Sequence, residues 1–315
     1  IMTTYKEIRG TNIEAVASDP SNPVEGQVWY NTTTNVVKGV LNNPGSWATG
    51  GALNTARQYM GAAGTQTAAL AFGGSPGVNL TEKYNGTSWT EVNNLNTARE
   101  RLAGCGATNT AALAFGGNAP PGKQVVTETW NGTNWTEVND LNLARSGLAG
   151  AGVNTAAVAF GGEPVSGPAS KKTELWNGTN WTEVNELDKG RKELAGAGAS
   201  NTAALAFGGD EPIGYTELWN GTNWTEVNNM NNVRDRLAGA GTNTAALAFG
   251  GNPGPKTALT ETWNGTNWTE VNDMAVGKEG PGGAGTNTAA LAFGGASSAT
   301  EEWNVGPQTV TFTNS

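Results

Sequence analysis

Glutamates recur in pairs along this sequence, and paired carboxylates are the groups that hydrolyse glycosidic bonds. One pair lies in TETWNGTNWTEV, at Glu128 and Glu137. The pair returns in every copy of a repeated segment, whereas a catalytic pair serves one site and breaks such symmetry. We therefore interpret these glutamates as structural. A glycan-active enzyme would need an asymmetric acidic cluster, for which the loops offer Glu163, Asp210 and Glu211.

A second series consists of six basic residues, each ten positions after a tryptophan: Arg57, Arg99, Arg145, Arg191, Arg234 and Lys278. They could form a ring at the mouth of a channel and attract an acidic partner. Repeated charges usually serve the architecture of the repeat itself. We therefore favour a structural role, in which each side chain holds a neighbouring turn or pairs with a repeat glutamate such as Glu128 or Glu174.

Composition narrows the chemistry further. The sequence has no histidine, which excludes His-based triads, His general bases and His metal ligands. Its single cysteine, Cys105, stands where other copies have alanine, so we expect a small buried residue. We predict no catalytic residue, no cofactor and no metal. The net charge of -9, without a run of Lys or Arg, argues against a nucleic-acid partner. Neither a span of ~20 apolar residues nor a signal-peptide core is found, so we expect no membrane insertion.

A repeat positions these residues. The sequence AFGG returns six times, and the first glycines of successive copies are 42 to 47 residues apart. Each copy contains four short strand patterns, which we call A to D: Leu148–Gly152, Thr110–Phe115, Thr127–Trp130 and Trp135–Val138 are examples. Patterns C and D alternate polar and apolar residues, and Asn131-Gly132 between them favours a tight turn. Four antiparallel strands at this period predict the blades of a β-propeller.

The ends of the repeat predict how the propeller closes. Pattern D first occurs at Trp47, before any pattern A, and the last pattern C, around Trp303, has no pattern D after it. Six blades are complete only if Ser46–Thr49 pairs with Glu301–Trp303, which would also remove open sheet edges. The predicted fold is all-β: a six-bladed propeller over residues 47–304, an N-terminal arm and β-hairpin over 1–46, and a C-terminal strand over 305–315. The tail strand could extend the hairpin.

These patterns resemble known proteins. The order basic residue, small-residue strand, apolar strand ending in Gly-Gly, aromatic residue, turn and Trp resembles the kelch repeat over residues 47–304. The opening PVEGQVWYNTTTNVVKGV, residues 23–40, resembles segments of bacteriophage tail-fibre and other virion proteins, and the repeats look like kelch-type phage proteins. Kelch propellers include galactose oxidase, whose copper site uses His and Tyr ligands; that activity is not carried over to a chain without His.

The resemblance implies a non-enzymatic virion protein, in a tail fibre, a tail attachment or a head decoration. Residues 1–46 would dock it onto other virion proteins, and loops would bind a host surface protein or glycan. A cell-surface or secreted bacterial adhesin is the alternative, and a glycan-active enzyme is a more distant one. A homo-oligomer stays open. The repeated tryptophans invite a sugar-stacking interpretation, but two per blade at fixed places are what blade packing requires.

Recognition is expected where the repeats differ, in the loops between patterns B and C. In a four-stranded meander these loops share one face with the basic residues, and variable loops on a rigid scaffold often carry binding. The alternative is that these surface loops vary without a role in binding. The candidate binding residues are Asn118, Lys123, Gln124, Glu163, Ser166, Lys171, Lys172, Asp210, Glu211, Tyr215 and Lys256. The loops Asn118–Val126 and Glu163–Lys172 are the longest, and we consider them first.

Overall fold

A computed structural model describes residues 13–21, 24, 26–210 and 214–312. All regular elements in these ranges are β-strands, and no helix that could cross a membrane is found there. The chain divides into two compact units, Ser46–Asn304 and a second unit formed by Ile1–Gly45 with Val305–Ser315. Each unit is described by itself.

Thirty strands account for the described secondary structure. In chain order they are β1 (Glu14–Val16), β2 (Val28–Asn31), β3 (Val36–Gly50), β4 (Gly61–Thr65), β5 (Ala68–Phe72), β6 (Thr81–Tyr84), β7 (Trp89–Val92), β8 (Ala103–Thr108), β9 (Ala111–Phe115), β10 (Asn118–Ala119), β11 (Gly122–Lys123), β12 (Thr127–Trp130), β13 (Trp135–Val138), β14 (Arg145–Ser146), β15 (Ala149–Val153), β16 (Ala156–Phe160), β17 (Glu163–Pro164), β18 (Thr173–Trp176), β19 (Trp181–Val184), β20 (Ala195–Ser200), β21 (Ala203–Phe207), β22 (Thr216–Trp219), β23 (Trp224–Val227), β24 (Ala238–Gly241), β25 (Ala246–Phe249), β26 (Thr260–Trp263), β27 (Trp268–Glu270), β28 (Pro281–Gly285), β29 (Ala289–Gly294) and β30 (Thr300–Phe312).

The larger unit repeats one four-stranded antiparallel sheet. Patterns A, B, C and D are neighbours in that order, as sheet 1 (β4–β7), sheet 2 (β8, β9, β12, β13), sheet 3 (β15, β16, β18, β19), sheet 4 (β20–β23) and sheet 5 (β24–β27). Sheet 6 has β28, β29 and β30 in the same order, and β3 is the hydrogen-bonded neighbour of β30. In the larger unit, the ring of Trp47 on β3 lies 5.4 Å from that of Trp303 on β30.

The sheets form because patterns C and D alternate and because a short turn fixes their register. Trp130 stands opposite Trp135 and Glu128 opposite Glu137, on the two strands that the sequence pattern predicts. In the turn between them, the Asn131 side-chain oxygen accepts hydrogen bonds from the backbone N–H groups of Thr133 and Asn134. Gly132 takes a φ of 93°, a conformation that a side chain would strain. The same turn closes the outer hairpin of sheets 3, 4 and 5.

The cores lie between successive sheets. Between sheets 1 and 2, for example, Leu70 and Phe72 of β5 pack with Trp130 and Trp135 of sheet 2, and all four are buried. The Phe that ends each pattern B meets the outer Trp of a neighbouring sheet at ring-centroid distances of 4.8–5.2 Å. This aromatic contact is a large source of buried apolar area at each junction.

Six tryptophan–threonine hydrogen bonds link the sheets in cyclic order. In each, the Nε1–H of the Trp on pattern D donates to the hydroxyl of the Thr that opens pattern C of the preceding sheet, at 2.9–3.1 Å. The pairs are Trp89–Thr300, Trp135–Thr81, Trp181–Thr127, Trp224–Thr173, Trp268–Thr216 and Trp47–Thr260. Sheet 6 is thus bonded to sheet 5 through Trp47 and to sheet 1 through Thr300. The architecture is compatible with a β-propeller made of kelch-like repeats.

The first strands of the six sheets also follow one another in a circle: β4, β8, β15, β20, β24 and β28 are successive neighbours, and β28 neighbours β4. Space there is short, which explains the Gly and Ala of pattern A. A Cβ placed on Gly150 would lie 2.4 Å from Cζ of Phe115 on the preceding sheet. Cys105, in pattern A of sheet 2, is buried, and this burial raises the pKa of its thiol to about 12.

The smaller unit contains β1, β2 and the parts of β3 and β30 outside the repeat, in the order β1-β2-β3-β30. β2 and β3 pair antiparallel across Thr32–Thr34, as the hairpin pattern predicts, and β1 runs parallel to β2. Asp19 accepts hydrogen bonds from Trp29, Asn31 and Lys38, and the Lys38 ammonium is the main cause that lowers the pKa of Asp19 to about 2. β30 reaches Phe312, so the tail does extend this hairpin sheet; Thr313 lies outside the described residues.

Candidate recognition surface

The six basic residues of the series lie in the interior and not at a channel mouth. Arg57, Arg99, Arg145, Arg191, Arg234 and Lys278 are at most 1% exposed. Arg145 shows the pattern: its Nη1 donates to the carbonyls of Gly161 and Lys172 at 2.9 and 2.7 Å, and its Nη2 to Glu174 Oε1 at 2.9 Å. Cations held in this way are not free to attract an acidic partner. These contacts fit the structural role, in which each basic side chain holds a neighbouring turn or pairs with a repeat glutamate.

The pattern C glutamates are occupied in the same way. Glu174 is fully buried, and its Oε2 accepts hydrogen bonds from the backbone N–H and side-chain amide of Asn142, at 2.7 and 2.8 Å. Asn142 belongs to the loop that leads from sheet 2 into sheet 3. This carboxylate therefore holds a connecting loop and a buried cation at once.

A closed circle of backbone hydrogen bonds lies two positions beyond the basic series. Each N–H donates to the carbonyl of the preceding member, at 2.7–2.8 Å, and the last member closes onto the first. We call this circle the peptide ring; its members are Tyr59, Arg101, Gly147, Glu193, Arg236 and Gly280. All six have φ between 52° and 61°, in the left-handed region, although four of them carry side chains.

The ring's side chains form one connected network. Arg101 donates to Glu193 Oε1 at 2.5 Å, and its guanidinium carbon lies 4.8 Å from the centroid of the Tyr59 ring. Glu279, next to the ring, accepts from the Tyr59 hydroxyl at 2.7 Å and from Arg236 at 2.8 Å. The two glycines leave room for this network, because a Cβ on Gly147 would meet the Glu193 carboxylate and one on Gly280 would meet the Tyr59 ring.

Burial sets the electrostatics of this network. Desolvation raises the pKa of Glu193 above its ordinary value in spite of the opposing charges of Arg101 and Arg236. Burial, followed by the hydrogen bond to Glu279, likewise raises the pKa of the Tyr59 hydroxyl. The hydrogen bond from Tyr59 is the main cause of a lowered pKa at Glu279. The two carboxyl groups of the network are therefore shifted in opposite directions: the pKa of Glu193 is raised by burial, and that of Glu279 is lowered by its hydrogen bonds.

A cavity of about 140 Å³ opens at the peptide ring and is lined by residues from the first strands of all six sheets. A second space, of about 100 Å³, is lined by Gly, Ala and Cys105 of the same strands. The lining of the first cavity includes the charged ring residues, whereas that of the second has no charged side chain. Of these two spaces, the one at the ring is the one that offers charged side chains to a ligand.

Two loops that the sequence predicts as binding loops, Asn118–Val126 and Glu163–Lys172, are joined to each other by an ion pair. Lys123 and Lys192 both contact the Glu163 carboxylate, at 3.1 and 2.9 Å, and Lys123 also donates to the carbonyl of Pro164. These hydrogen bonds, that of Lys192 first, lower the pKa of Glu163. Asn118 and Lys123 are opposed in a two-stranded ladder, and the Gln124 amide is bonded to Ala119 and Gly122 within the same loop. The loops are thus fixed structures.

The remaining named residues differ in their exposure. Lys172 contacts Glu183 and Glu186, and the Tyr215 carbonyl accepts from the buried Arg191. The exposed side chains are those of Ser166, Lys171, Asp210 and Lys256. Glu211 lies outside the described residues. Within the part of the chain that the structure describes, no group of His, Cys, Asp and Glu is placed to bind a metal ion.

Sequence reasoning missed the ring residues Tyr59, Arg101, Glu193 and Arg236. A signal was present: the position two residues after each basic residue reads Tyr, Arg, Gly, Glu, Arg, Gly, whereas the next position reads Met, Leu, Leu, Leu, Leu, Pro and is apolar throughout. The position before it differs between repeats as well, and the differences in loop length are the stronger signal in the sequence.

The comparisons with known proteins give no relative to compare the site with. No protein-family model matches the chain, and a search of curated proteins finds no match.

Proposed function

We propose that the larger unit is a six-bladed kelch-type β-propeller, closed by the pairing of the β3 segment around Trp47 with the β30 segment around Trp303. Three cyclic features support this arrangement: the six Trp–Thr hydrogen bonds, the circle of first strands, and the six-membered peptide ring. A closed propeller also gives a partner to the pattern D around Trp47 and to the pattern C around Trp303, which the sequence leaves incomplete at the two ends of the repeat.

The protein serves recognition and not catalysis. The observation that carries this proposal is the location of the differences between repeats. The mixed ring side chains line one cavity. The two longest loops begin next to the ring, because Asn118 pairs with Glu100 and Glu163 with Ser146, and these loops are linked by ion pairs. The carboxylates and cations that repeat are engaged in holding loops. A rigid scaffold with one differing face suits binding of a protein or glycan.

We further propose that the protein belongs to a bacteriophage virion, where residues 1–46 dock it to other particle proteins and the differing face meets the host surface. The support is the likeness of residues 23–40 to virion proteins. Fold alone does not give this location.

Mass spectrometry of purified particles tests the proposal. We expect the chain in a fixed number of copies per particle, and deletion of residues 1–46 to abolish its incorporation while circular dichroism still shows a folded β-protein. A matched control replaces the loop Asn118–Val126 with the shorter Ser75–Leu80 and should leave incorporation unchanged. Particles without the chain would overturn the virion assignment, and recovery of the chain from a bacterial surface would support an adhesin instead.

A further inference from the structure

We propose that the cavity at the peptide ring binds one unit of a neutral sugar through two neighbouring hydroxyl groups. This inference deepens the proposed recognition function and rests on it, because it names the ligand class of the same face. It starts from a twofold pattern inside the six-membered ring. In ring order the members are Tyr59, Arg101, Gly147 and then Glu193, Arg236, Gly280, which is an acidic or phenolic residue, an arginine and a glycine, twice.

This order determines which members of the peptide ring face each other across the cavity. Members three places apart in a six-membered ring lie on opposite sides, so Arg101 faces Arg236 across the cavity and Tyr59 faces Glu193. Two side-chain hydrogen bonds connect the halves of the pattern: Arg101 donates to Glu193, and Tyr59 donates to Glu279, which also accepts from Arg236. The cavity is thus bordered by two guanidinium groups that donate hydrogen bonds and by a carboxyl group that accepts them.

Hydrogen-bonding capacity is left over after these contacts. Glu193 is only 7% exposed at its side chain, and its Oε1 is used by Arg101. No partner for Glu193 Oε2 is found among the described residues, and this oxygen is not closed off from solvent. Arg101 and Arg236 each use one Nη in the network and are about one-third exposed, at 32% and 31%. A hydroxyl group can donate to Glu193 while its neighbour accepts from a guanidinium.

Charge balance selects a neutral ligand. Arg101 and Arg236 are matched by Glu193 and Glu279, with Asp235 3.7 Å from Arg236 as a further acid. An anion would meet this excess of carboxylate, and a cation would lie between two guanidinium groups. Either one would have to break an ion pair and leave a charge uncompensated at a largely buried site, which is costly. A neutral polyol requires neither.

Size and shape limit how much of the ligand enters. The volume of about 140 Å³ corresponds to about five water molecules at roughly 30 Å³ each. That suffices for the edge of one pyranose ring, with the rest of a chain outside. The Tyr59 ring is covered by Arg101 on one side and lies against Gly280, so binding depends on hydrogen bonds and not on stacking.

Titration of the purified full chain tests this proposal, with isothermal calorimetry and ligand-observed NMR as readouts. The probes are glucose, galactose, mannose and N-acetylglucosamine, and the matched charged sugars glucuronic acid and glucosamine. We expect at least one neutral sugar to bind more than tenfold tighter than its charged counterparts. Glu193→Gln and Arg101→Lys should each weaken binding about tenfold, as loss of a hydrogen bond to a charged group implies. Glu226→Gln, the same change on exposed β23, should leave it within twofold.

Thermal unfolding establishes that each variant is folded before it is titrated, and Arg101→Lys serves if Glu193→Gln fails. Methyl glycosides of the bound sugar should keep its affinity, because the unit at the end of a glycan carries such a substituent; loss of binding would restrict the site to free sugars and overturn glycan recognition here. Absence of binding by every neutral sugar, or binding untouched by Glu193→Gln and Arg101→Lys, overturns the inference. Neither result would bear on the virion assignment, which is tested by mass spectrometry of particles. In turn, the absence of the chain from particles would not bear on the sugar site.

Discussion

At the scale of single residues, the repeated charges of this protein are internal connectors. A guanidinium such as that of Arg145 satisfies two backbone carbonyls and one carboxylate, and the carboxylate in turn holds the loop that enters the sheet. Burying an ion pair is expensive, and removal of one partner leaves the other uncompensated. The pairs therefore make the loop geometry specific, because any other arrangement would strand a buried charge.

Substitution of Arg145 tests this role. Arg145→Met keeps the length of the side chain but strands the Glu174 carboxylate, and we expect the free energy of unfolding to fall by about 3–5 kcal/mol. Urea denaturation gives the value. Lys172→Met removes ion pairs at a side chain that is 39% exposed and screened by solvent, and it should leave stability almost unchanged. Equal losses in both variants would show that burial does not decide the contribution.

The carboxyl of Glu193 gives a pH dependence of defined sign. Because burial raises its pKa above the ordinary 4.5, the folded state holds this proton more tightly than the unfolded chain. Its stabilising contribution is complete below 4.5 and is lost as the pH rises through the raised value. We expect the stability of the native protein relative to Glu193→Gln to fall from pH 4.5 to pH 8, as measured by urea denaturation across this range. A rise over the same range would mean that ion pairing to Arg101 outweighs desolvation.

At the scale of elements, the strands of patterns C and D lie where the sequence predicts them, from Thr127 to Trp130 and from Trp135 to Val138. Their alternation, paired Trp and Asn-Gly turn are all local signals. The bounds of pattern A are predicted less accurately, because a strand of Gly and Ala carries no periodic signal. β15 accordingly begins one residue after the predicted start. Its composition follows from crowding by neighbouring sheets, which is tertiary.

Crowding of the first strands makes Gly150 sensitive to a single methyl group. Gly150 has no positive φ, so conformation alone would tolerate alanine, but the added Cβ would lie 2.4 Å from Cζ of Phe115. We expect Gly150→Ala to lower the free energy of unfolding by about 1–3 kcal/mol. The equivalent position of β4 already carries Ala62, where Ala62→Gly should cost only about 0.5–1 kcal/mol. If Gly150→Ala proves stabilising, the first strands are less crowded than the geometry indicates.

The peptide ring could not be predicted from local sequence. A left-handed φ is expected at glycine, yet Tyr59, Arg101, Glu193 and Arg236 adopt it. What imposes this conformation is the circle of N–H to carbonyl bonds, which forms only when all six sheets are in place. The candidate site was missed for the same reason: the bonds and ion pairs that define it join residues 42 or more positions apart.

At the scale of the whole larger unit, the junction between sheets 6 and 1 joins the two ends of the repeat. It has the same Trp–Thr bond as the other junctions, from Trp89 to Thr300, and two contacts of its own. Tyr84 donates to Glu302 at 2.6 Å, and Gln66 donates to the carbonyl of Trp303 at 2.6 Å. The neighbourhood of β3 and β30 agrees with the pairing that the sequence predicts, but these two contacts could not be predicted, because Tyr84 and Gln66 replace the residues of other repeats.

A pair of identical substitutions compares this junction with an internal one. Thr127→Val and Thr300→Val each leave a buried indole N–H without its acceptor, at 3.1 and 3.0 Å in the native protein. We expect each to lower the free energy of unfolding by about 1–3 kcal/mol, and the two losses to agree within about 0.5 kcal/mol. Thr182→Val, at an exposed site of β19, is the control. A much smaller loss for Thr300→Val would mean that the ends abut without closing the structure.

The peptide ring has a consequence for the field inside the cavity. Its six hydrogen bonds run head to tail in one rotational sense, so the peptide dipoles circulate around the cavity, and their components in the plane of the ring cancel. A helix end, by contrast, adds its dipoles along one axis and attracts ions by backbone alone. Because the in-plane components of the backbone dipoles cancel, the polarity that a bound molecule meets in the plane of the ring comes from side chains. Four ring members supply them: Tyr59, Arg101, Glu193 and Arg236. Each of these side chains can be substituted separately.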